Sequence, residues 1–433
     1  MNAVAVFANQ TFRSLRSRNF RLFFAGQLVS QAGTWMQSIA IIWVVYKLTD
    51  NGFSLGLATA AQFFPVLVLG AWGGVVSDRV DRHKLMIVTQ IGFLIVAAAF
   101  TVLAFTDRMN LPVIYTLSAV YGVITAMDNP ARRALVVEMV DQVDVANAVG
   151  LNSALMTGSR VVGPAVAGVL ISTVGPQWAF LVNTITFVAI LAALLLMDRS
   201  ALRSPPVVPR KKGQLVEGLR YTWANRELRL TFILLAVIGT LAFEYQVSLP
   251  LLAERSLGGG SGTFTLLYSL MSVGSVLGAL VVARRTEIRA AFLAKAAIWL
   301  GLFTMGLAYA PNPTLAAIAV VPTGFAMVFL LSGSNAVIQL LAAPQMRGRV
   351  LSLTAVVFLG STPIGGPIVG WIGEQFGARS GVAVGGVSSL LVALWVLREL
   401  AKPEVVADTE AGDAARFDNA GTAPAPTMAN PAA

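Results

Sequence analysis

The sequence predicts an all-α membrane protein of twelve transmembrane helices in two pseudo-symmetric six-helix bundles, and three observations carry that prediction. First, the 433-residue chain is 56% hydrophobic and 12% charged, with a mean hydropathy of +0.74, whereas soluble domains carry about 25% charged residues. Second, its apolar stretches are long enough to cross a hydrocarbon core of about 30 Å, where a helix satisfies its own backbone. Third, Gly163-Pro164 with Gly168 returns half a chain later as Gly366-Pro367 with Gly370. Gly74, ahead of the charged turn at Asp78, likewise has a counterpart in Gly278, ahead of Arg284 and Arg285. Such echoes mark a duplicated membrane unit.

Taken in order, residues 1–18 form a basic cytoplasmic arm, and residues 19–198 form the first bundle, with spans at 20–48, 52–77, 84–106, 111–136, 147–174 and 177–198. Residues 199–228 form a cytoplasmic linker. Residues 229–400 form the second bundle, with spans at 229–253, 262–283, 290–310, 313–338, 349–376 and 379–399, and residues 401–433, rich in Ala, Pro, Asp and Thr, form a disordered tail. In the linker, Leu215, Leu219 and Trp223 follow the basic run Arg210-Lys211-Lys212 at helical spacing. They fit an interfacial helix on an anionic leaflet or a solvated connector.

The basic residues orient the bundles. Arg13, Arg16, Arg18 and Arg21 precede the first span, Arg79, Arg82 and Lys84 fill the second connection, and Arg199 through Arg229 fill the middle one. Arg284, Arg285, Arg289, Arg347 and Arg349 keep to the same side, while the alternate connections hold little beyond Lys47, Arg108, Arg255 and Arg379. The positive-inside rule then puts both termini in the cytoplasm. The first 18 residues show no cleavable signal, so the first span is expected to act as its own membrane signal.

Composition also excludes function classes. There is no cysteine, His83 is the single histidine, and no GxxxxGK(S/T) loop or nucleophile–base constellation is present. Metal sites, cofactors, ATP hydrolysis and enzymatic chemistry are therefore not expected. The net charge of +10 is explained by topology, so no nucleic-acid partner is expected.

Polar side chains inside the spans locate a pathway. Gln27, Gln31, Thr34 and Ser38 recur every three or four residues in span one, Thr240, Glu244 and Ser248 in span seven, and Ser332, Asn335 and Gln339 in span ten. Each stripe calls for a water-filled cavity or for partner helices, because unsatisfied polar groups in hydrocarbon cost several kcal/mol. Equivalent positions in the two halves favour a shared central cavity. Met36, Met127, Met156 and Met271 with Trp35, Phe243 and Tyr245 offer an adaptable apolar wall or simple packing.

The ionisable candidates are Glu244, Asp128 and Arg160. Glu244 lies mid-span with no basic residue within two turns, which suits a group that takes up and releases protons or one that stays protonated and bonds another helix. Asp128 in span four and Arg160 in span five reach similar depths, which predicts a structural ion pair, with proton coupling second. Lys295 and Arg132 lie nearer the interface, where snorkelling suffices.

The turn Gly74-Val-Val-Ser-Asp78-Arg79-Val-Asp81-Arg82-His83-Lys84 is the most specific local signal. It resembles the GxxxD(R/K)xG(R/K)(R/K) loop of the major facilitator superfamily, with Asp81 standing where the second glycine is usual. The Gly158, Gly163-Pro164, Gly168 stretch resembles the helix-five antiporter motif of the same superfamily. SRNFRLFFAGQLVSQAGTWMQ and DNPARRALV look like bacterial enterobactin-exporter-like and drug:proton antiporter proteins. The arginine that many drug antiporters carry in span four is replaced by Leu117 and Ser118. The resemblance covers Asn19 to about Glu399.

It implies a monomeric multi-pass transporter of the bacterial inner membrane that exchanges protons for small amphipathic molecules by alternating access. It further implies that Gly74, Asp78, Arg79 and Arg82 gate the cytoplasmic side, with Arg133 as a partner. A dedicated exporter of one siderophore or secreted metabolite is the alternative, and a non-transporting membrane sensor or scaffold a distant one.

Overall fold

The computed structural model describes residues 11–203, 214–283, 289–343 and 346–402. The basic run at 210–212, Arg284, Arg285 and the tail from 403 onward lie outside the described residues, as do the side chains of Asp78 and Leu215.

The first bundle comprises α1 (Arg18–Thr49), α2 (Gly52–Arg79), α3 (Arg82–Phe105), α4 (Leu111–Glu138), α5 (Val145–Thr173) and α6 (Pro176–Leu195). Helix α7 (Gln214–Ala224) leads into the second bundle of α8 (Arg226–Leu241), α9 (Tyr245–Leu251), α10 (Gly260–Ala283), α11 (Ala290–Ala308), α12 (Pro313–Leu341), α13 (Arg347–Gln375) and α14 (Ala378–Ala401). The seventh expected span is thus two helices, broken across Ala242–Glu244, followed by a π-helical turn at Leu252–Ser256.

Among the described residues, eleven segments are long and apolar enough to cross a membrane. Helix α13, several of whose side chains lie outside the described residues, is 29 residues long and carries no charged residue from Val350 to Gly373. It packs along both α8 and α2 as an integral member of its bundle.

Local sequence explains the boundaries, and it repeats. Asn110 and Asn312 each cap a helix whose first turn holds a proline, their side chains accepting hydrogen bonds from Val113 N and Leu315 N. Gly175 and Gly377 precede α6 and α14 with φ of 101° and 91°, a region that an L side chain rarely adopts. These pairs share one separation in sequence, to within a residue of that between the Gly-Pro copies. Asp81 caps α3 by accepting from Lys84 N at 3.1 Å. That accounts for its place in the loop, since a helix-capping carboxylate starts α3 without a glycine.

Packing repeats as well. In the first bundle a Cβ on Gly73 would fall 2.1 Å from the Ala126 carbonyl oxygen and one on Gly122 2.1 Å from that of Gln62. In the second, Gly278 meets the Phe325 carbonyl at 2.4 Å and Gly324 that of Met271 at 1.9 Å. Small residues thus bring α2 against α4 and α10 against α12 at backbone distance.

The two bundles meet through α2 with α13 and α5 with α10. At the end of the molecule that carries Thr49, Gly52 and Gln375, one hydrophobic core runs through both bundles, from Ile39 and Tyr46 to Phe264, Leu267 and Val382. At the opposite end, which carries Arg18, Arg226 and Ala401, the described residues form two separate cores. Phe20, Met86 and Leu135 belong to one, and Leu228, Val282 and Val350 to the other.

Candidate functional site between the bundles

Glu244 occupies the break between α8 and α9 and is 4% exposed. The break frees backbone groups: the amides of Val247 and Ser248 both bond the Glu244 carbonyl, while the Thr240 carbonyl stands against Gly365. The Glu244 side chain lies against the second Gly-Pro copy, with Cγ 3.1 Å from the place a Gly365 Cβ would take and Oε2 3.6 Å from that of Gly366. Its carboxyl is hydrogen-bonded to Thr362. The other oxygen, Oε1, is buried without a partner.

Asp128 is fully buried in α4 and takes three partners. Thr89 Oγ1 and Gln90 Nε2 of α3 each donate to Oδ1 at 2.8 Å, and Arg132, one turn along α4, forms an ion pair with Oδ2. The expected Asp128–Arg160 pair is therefore corrected. Similar depth did not suffice, because a residue four positions on shares the same helix face, and an acid N-terminal to a base at that spacing is the favourable order. Arg132 also reaches Met156 Sδ at 3.8 Å, so it turns into the bundle and does not snorkel to the interface.

Arg160 instead places its guanidinium 5.1 Å from the centre of the Trp35 ring. A cation–π contact contributes about 0.5–2 kcal/mol, well short of the several kcal/mol that an ion loses on leaving water. Tyr268 of α10 lies near Gln246 and in the electrostatic field of both Arg160 and Glu244. Trp35, Arg160, Tyr268, Gln246 and Glu244 thus draw on both bundles.

The polar stripes divide. Gln31 donates to Gln27 at 3.3 Å, Thr34 is hydrogen-bonded to the Tyr121 hydroxyl, and Ser38 lines a small pocket with Gln37, Gln62, Ser118 and Tyr121. Thr240 donates to the Ala236 carbonyl at 2.7 Å, and Ser248 is buried. Ser332 and Asn335 are half-buried and Gln339 is exposed. Of the apolar wall, Met36, Met271 and Tyr245 are buried in the shared core, whereas Trp35, Met127, Met156 and Phe243 stay partly open.

At the end that carries the charged loop, Arg82 pairs with Glu138 at the close of α4. Arg79 and Arg133 are exposed and Gly74 is buried. Glu138 thus holds Arg82, while a pairing of Arg133 with Asp78 falls outside the described residues. In the helix-five stretch, a Cβ on Gly163 would fall 2.4 Å from Trp35 Cβ and one on Gly168 2.4 Å from Thr265 Oγ1, while Gly158 has nothing within 4 Å. Pro164 is buried between them.

A cluster that sequence reasoning missed closes the opposite end. Lys47 Nζ bonds Glu254 at 2.7 Å, Arg255 bridges Asp50 at 3.3 Å and Glu374 at 3.1 Å, and Glu374 accepts from the Gly52 amide at 2.9 Å. The five charges come from three connections, and the signal was that acids and bases occur together among otherwise uncharged turns.

Residues 9–421 match the family model described as a transmembrane secretion effector. The chain belongs to this family of the major facilitator superfamily. It is 22% identical to the staphyloferrin A transporter of Staphylococcus aureus, over 86% of this chain and 94% of that one. Macrolide efflux protein A of Streptococcus pyogenes is 25% identical over 87% and 94%, and the multidrug efflux pump Tap of Mycolicibacterium fortuitum 24% over 83% and 90%. The fold matches solved structures of the nucleoside transporter NupG (TM-score 0.70, 12% identity, 90% of this chain and 99% of that one) and of a D-xylose-proton symporter (0.65, 13%, 88% and 96%). This major facilitator protein is a multi-pass membrane transporter and not an enzyme.

Proposed function

We propose that this transporter is a monomeric, proton-coupled, alternating-access exporter of amphipathic small molecules in a bacterial inner membrane, with the end bearing the termini in the cytoplasm. The relatives named for macrolide and multidrug efflux support export, and the basic residues around Arg18, Arg82 and Arg226 support the orientation. In that orientation the shared core and the charge cluster lie on the outer side and the two separate cores on the inner side, which supports an outer side held shut while the bundles part inside.

The observation that carries proton coupling is Glu244, a buried carboxyl with an orphaned oxygen at a helix break. Intramembrane acids are costly to keep and serve function as a rule. One proton crossing 100 mV releases about 2.3 kcal/mol, enough for a roughly fiftyfold gradient. Glu244→Gln keeps the shape and removes the titration. Expected in proteoliposomes is loss of efflux driven by a proton gradient with downhill exchange retained; unchanged gradient-driven efflux would sink the role.

The second reading, a dedicated exporter of one siderophore or other secreted metabolite, is favoured by the likeness to the staphyloferrin A transporter. It predicts that deletion strains accumulate a single compound and keep their drug tolerance.

A further inference from the structure

Proton coupling leaves Arg160 without a role, because a guanidinium stays charged in proteins and hands over no proton. The acid that shares its depth is taken: Asp128 is engaged by Arg132, Thr89 and Gln90. Beside Arg160 stands the Trp35 ring from α1, and across the boundary between bundles Tyr268, with Gln246 near it, lies within its electrostatic reach. Arg160 and Trp35 both remain partly open. Among the described residues Arg160 has no ion-pair partner, and a charge so placed in a membrane protein is most economically explained by a counter-ion that comes and goes.

We infer that Arg160, with the Trp35 ring, Tyr268 and Gln246, binds an anionic group on the transported molecule, so that the preferred substrate is an amphipathic anion: a carboxylate or similar oxyanion on a flat apolar body. The inference rests on the transport function proposed above. The guanidinium presents a planar fork that matches a carboxylate, Trp35 offers an aromatic face beside it, and the tyrosine hydroxyl and glutamine amide add hydrogen-bonding groups. An organic cation meets repulsion at the same place. Because Trp35 and Arg160 belong to the first bundle and Tyr268 and Gln246 to the second, the bound anion touches both halves, and its affinity changes as they rock.

The test uses two xanthene dyes of similar size and opposite charge, fluorescein and rhodamine 123, with the purified full-length chain in nanodiscs and anisotropy as the readout. Expected is at least tenfold tighter binding of fluorescein, loss of that preference in Arg160→Gln, and part of it kept in Arg160→Lys. Equal or tighter binding of rhodamine 123, or an unchanged preference in a folded Arg160→Gln protein, overturns the inference. Should Arg160→Gln not fold, the unmodified chain decides: displacement of fluorescein by 1-naphthoate but not by 1-naphthamide supports the site, and equal displacement refutes it. Binding is read without a proton gradient. An intact anion preference alongside unchanged efflux in Glu244→Gln removes the coupling role and keeps the site, whereas proton-driven efflux without anion preference does the reverse.

Discussion

Gly365 and Thr240 meet backbone to backbone: a Cβ on Gly365 would fall 1.8 Å from the Thr240 carbonyl oxygen. Thr240 lies in the last turn of α8, just before the break at Glu244, and Gly365 directly precedes the Gly366-Pro367 pair. In the first bundle it is Gly163, within the Gly-Pro pair itself, that lies against Trp35 of the unbroken α1. A glycine at each Gly-Pro stretch, Gly163 and Gly365, thus presses on one of the two candidate binding elements. Backbone cannot yield as a side-chain tip does, and overpacking costs about 1–3 kcal/mol. Gly365→Ala is expected to lower the thermal unfolding temperature by several degrees and to impair transport. Gly306→Ala, where nothing lies within 4 Å, is expected to change neither in differential scanning fluorimetry.

The Asp128–Arg132 pair makes a second prediction. Removing one partner of a buried pair leaves the other charge uncompensated, at about 3–5 kcal/mol, whereas replacing both by groups of similar volume is near neutral. Asp128→Asn should therefore destabilise the protein strongly, and Asp128→Asn with Arg132→Met should recover most of the loss. Exchanging the charges of Asp128 and Arg160 should rescue nothing. Thermal unfolding of these three variants and the unmodified protein in one detergent separates these outcomes, and recovery by the Asp128–Arg160 exchange would restore the rejected pairing.

Most of the helical architecture was legible because each span needs an unbroken apolar run of membrane length, and run length is written in the sequence. The break in the seventh span was not, since Ala242, Phe243 and Glu244 include no glycine or proline and the nearest proline, Pro250, falls a turn and a half later. Tertiary packing of Thr240 and Leu241 against the glycines of α13 and α14 accompanies it. That Asp128 and Arg160 fall inside long helices was readable, but not the direction each faces around its helix. The charge cluster at Asp50, Lys47, Glu254, Arg255 and Glu374 draws on three separate connections, and only folding brings those together.

Helix α7 supplies a prediction at the lipid surface. Gly218 packs against Arg349, Glu217 pairs with Arg349 at 2.5 Å, and the Tyr221 hydroxyl accepts from the Ala343 amide at 3.1 Å. Val216, Leu219 and Trp223 are left exposed at helical spacing, as an interfacial helix requires. The chain has no cysteine of its own, so Leu219→Cys gives a single labelling site. A bimane there is expected to be quenched by a lipid-borne nitroxide in anionic bilayers, and quenching only by a water-soluble agent would make α7 a solvated connector.

The charge cluster at the other end should act as a latch whose strength depends on Asp50. The Tyr46 hydroxyl, which bonds its carboxyl, and Arg255 beside it hold Asp50 below the usual carboxylate range. A depressed folded value means that the stabilisation is fully present above the ordinary carboxylate pKa and is lost as pH falls through the lower, folded one. The latch is therefore constant near neutrality and weakens only in strong acid, so it cannot itself report a physiological proton gradient. Arg255→Gln, which removes the cation shared by Asp50 and Glu374, is expected to open this end at neutral pH. Ala58, 2% exposed in the shared core, reports the opening: an Ala58→Cys probe should react with a membrane-impermeant maleimide at least several times faster when Arg255→Gln is added. Equal rates with and without Arg255 would show that the apolar core alone keeps this end shut.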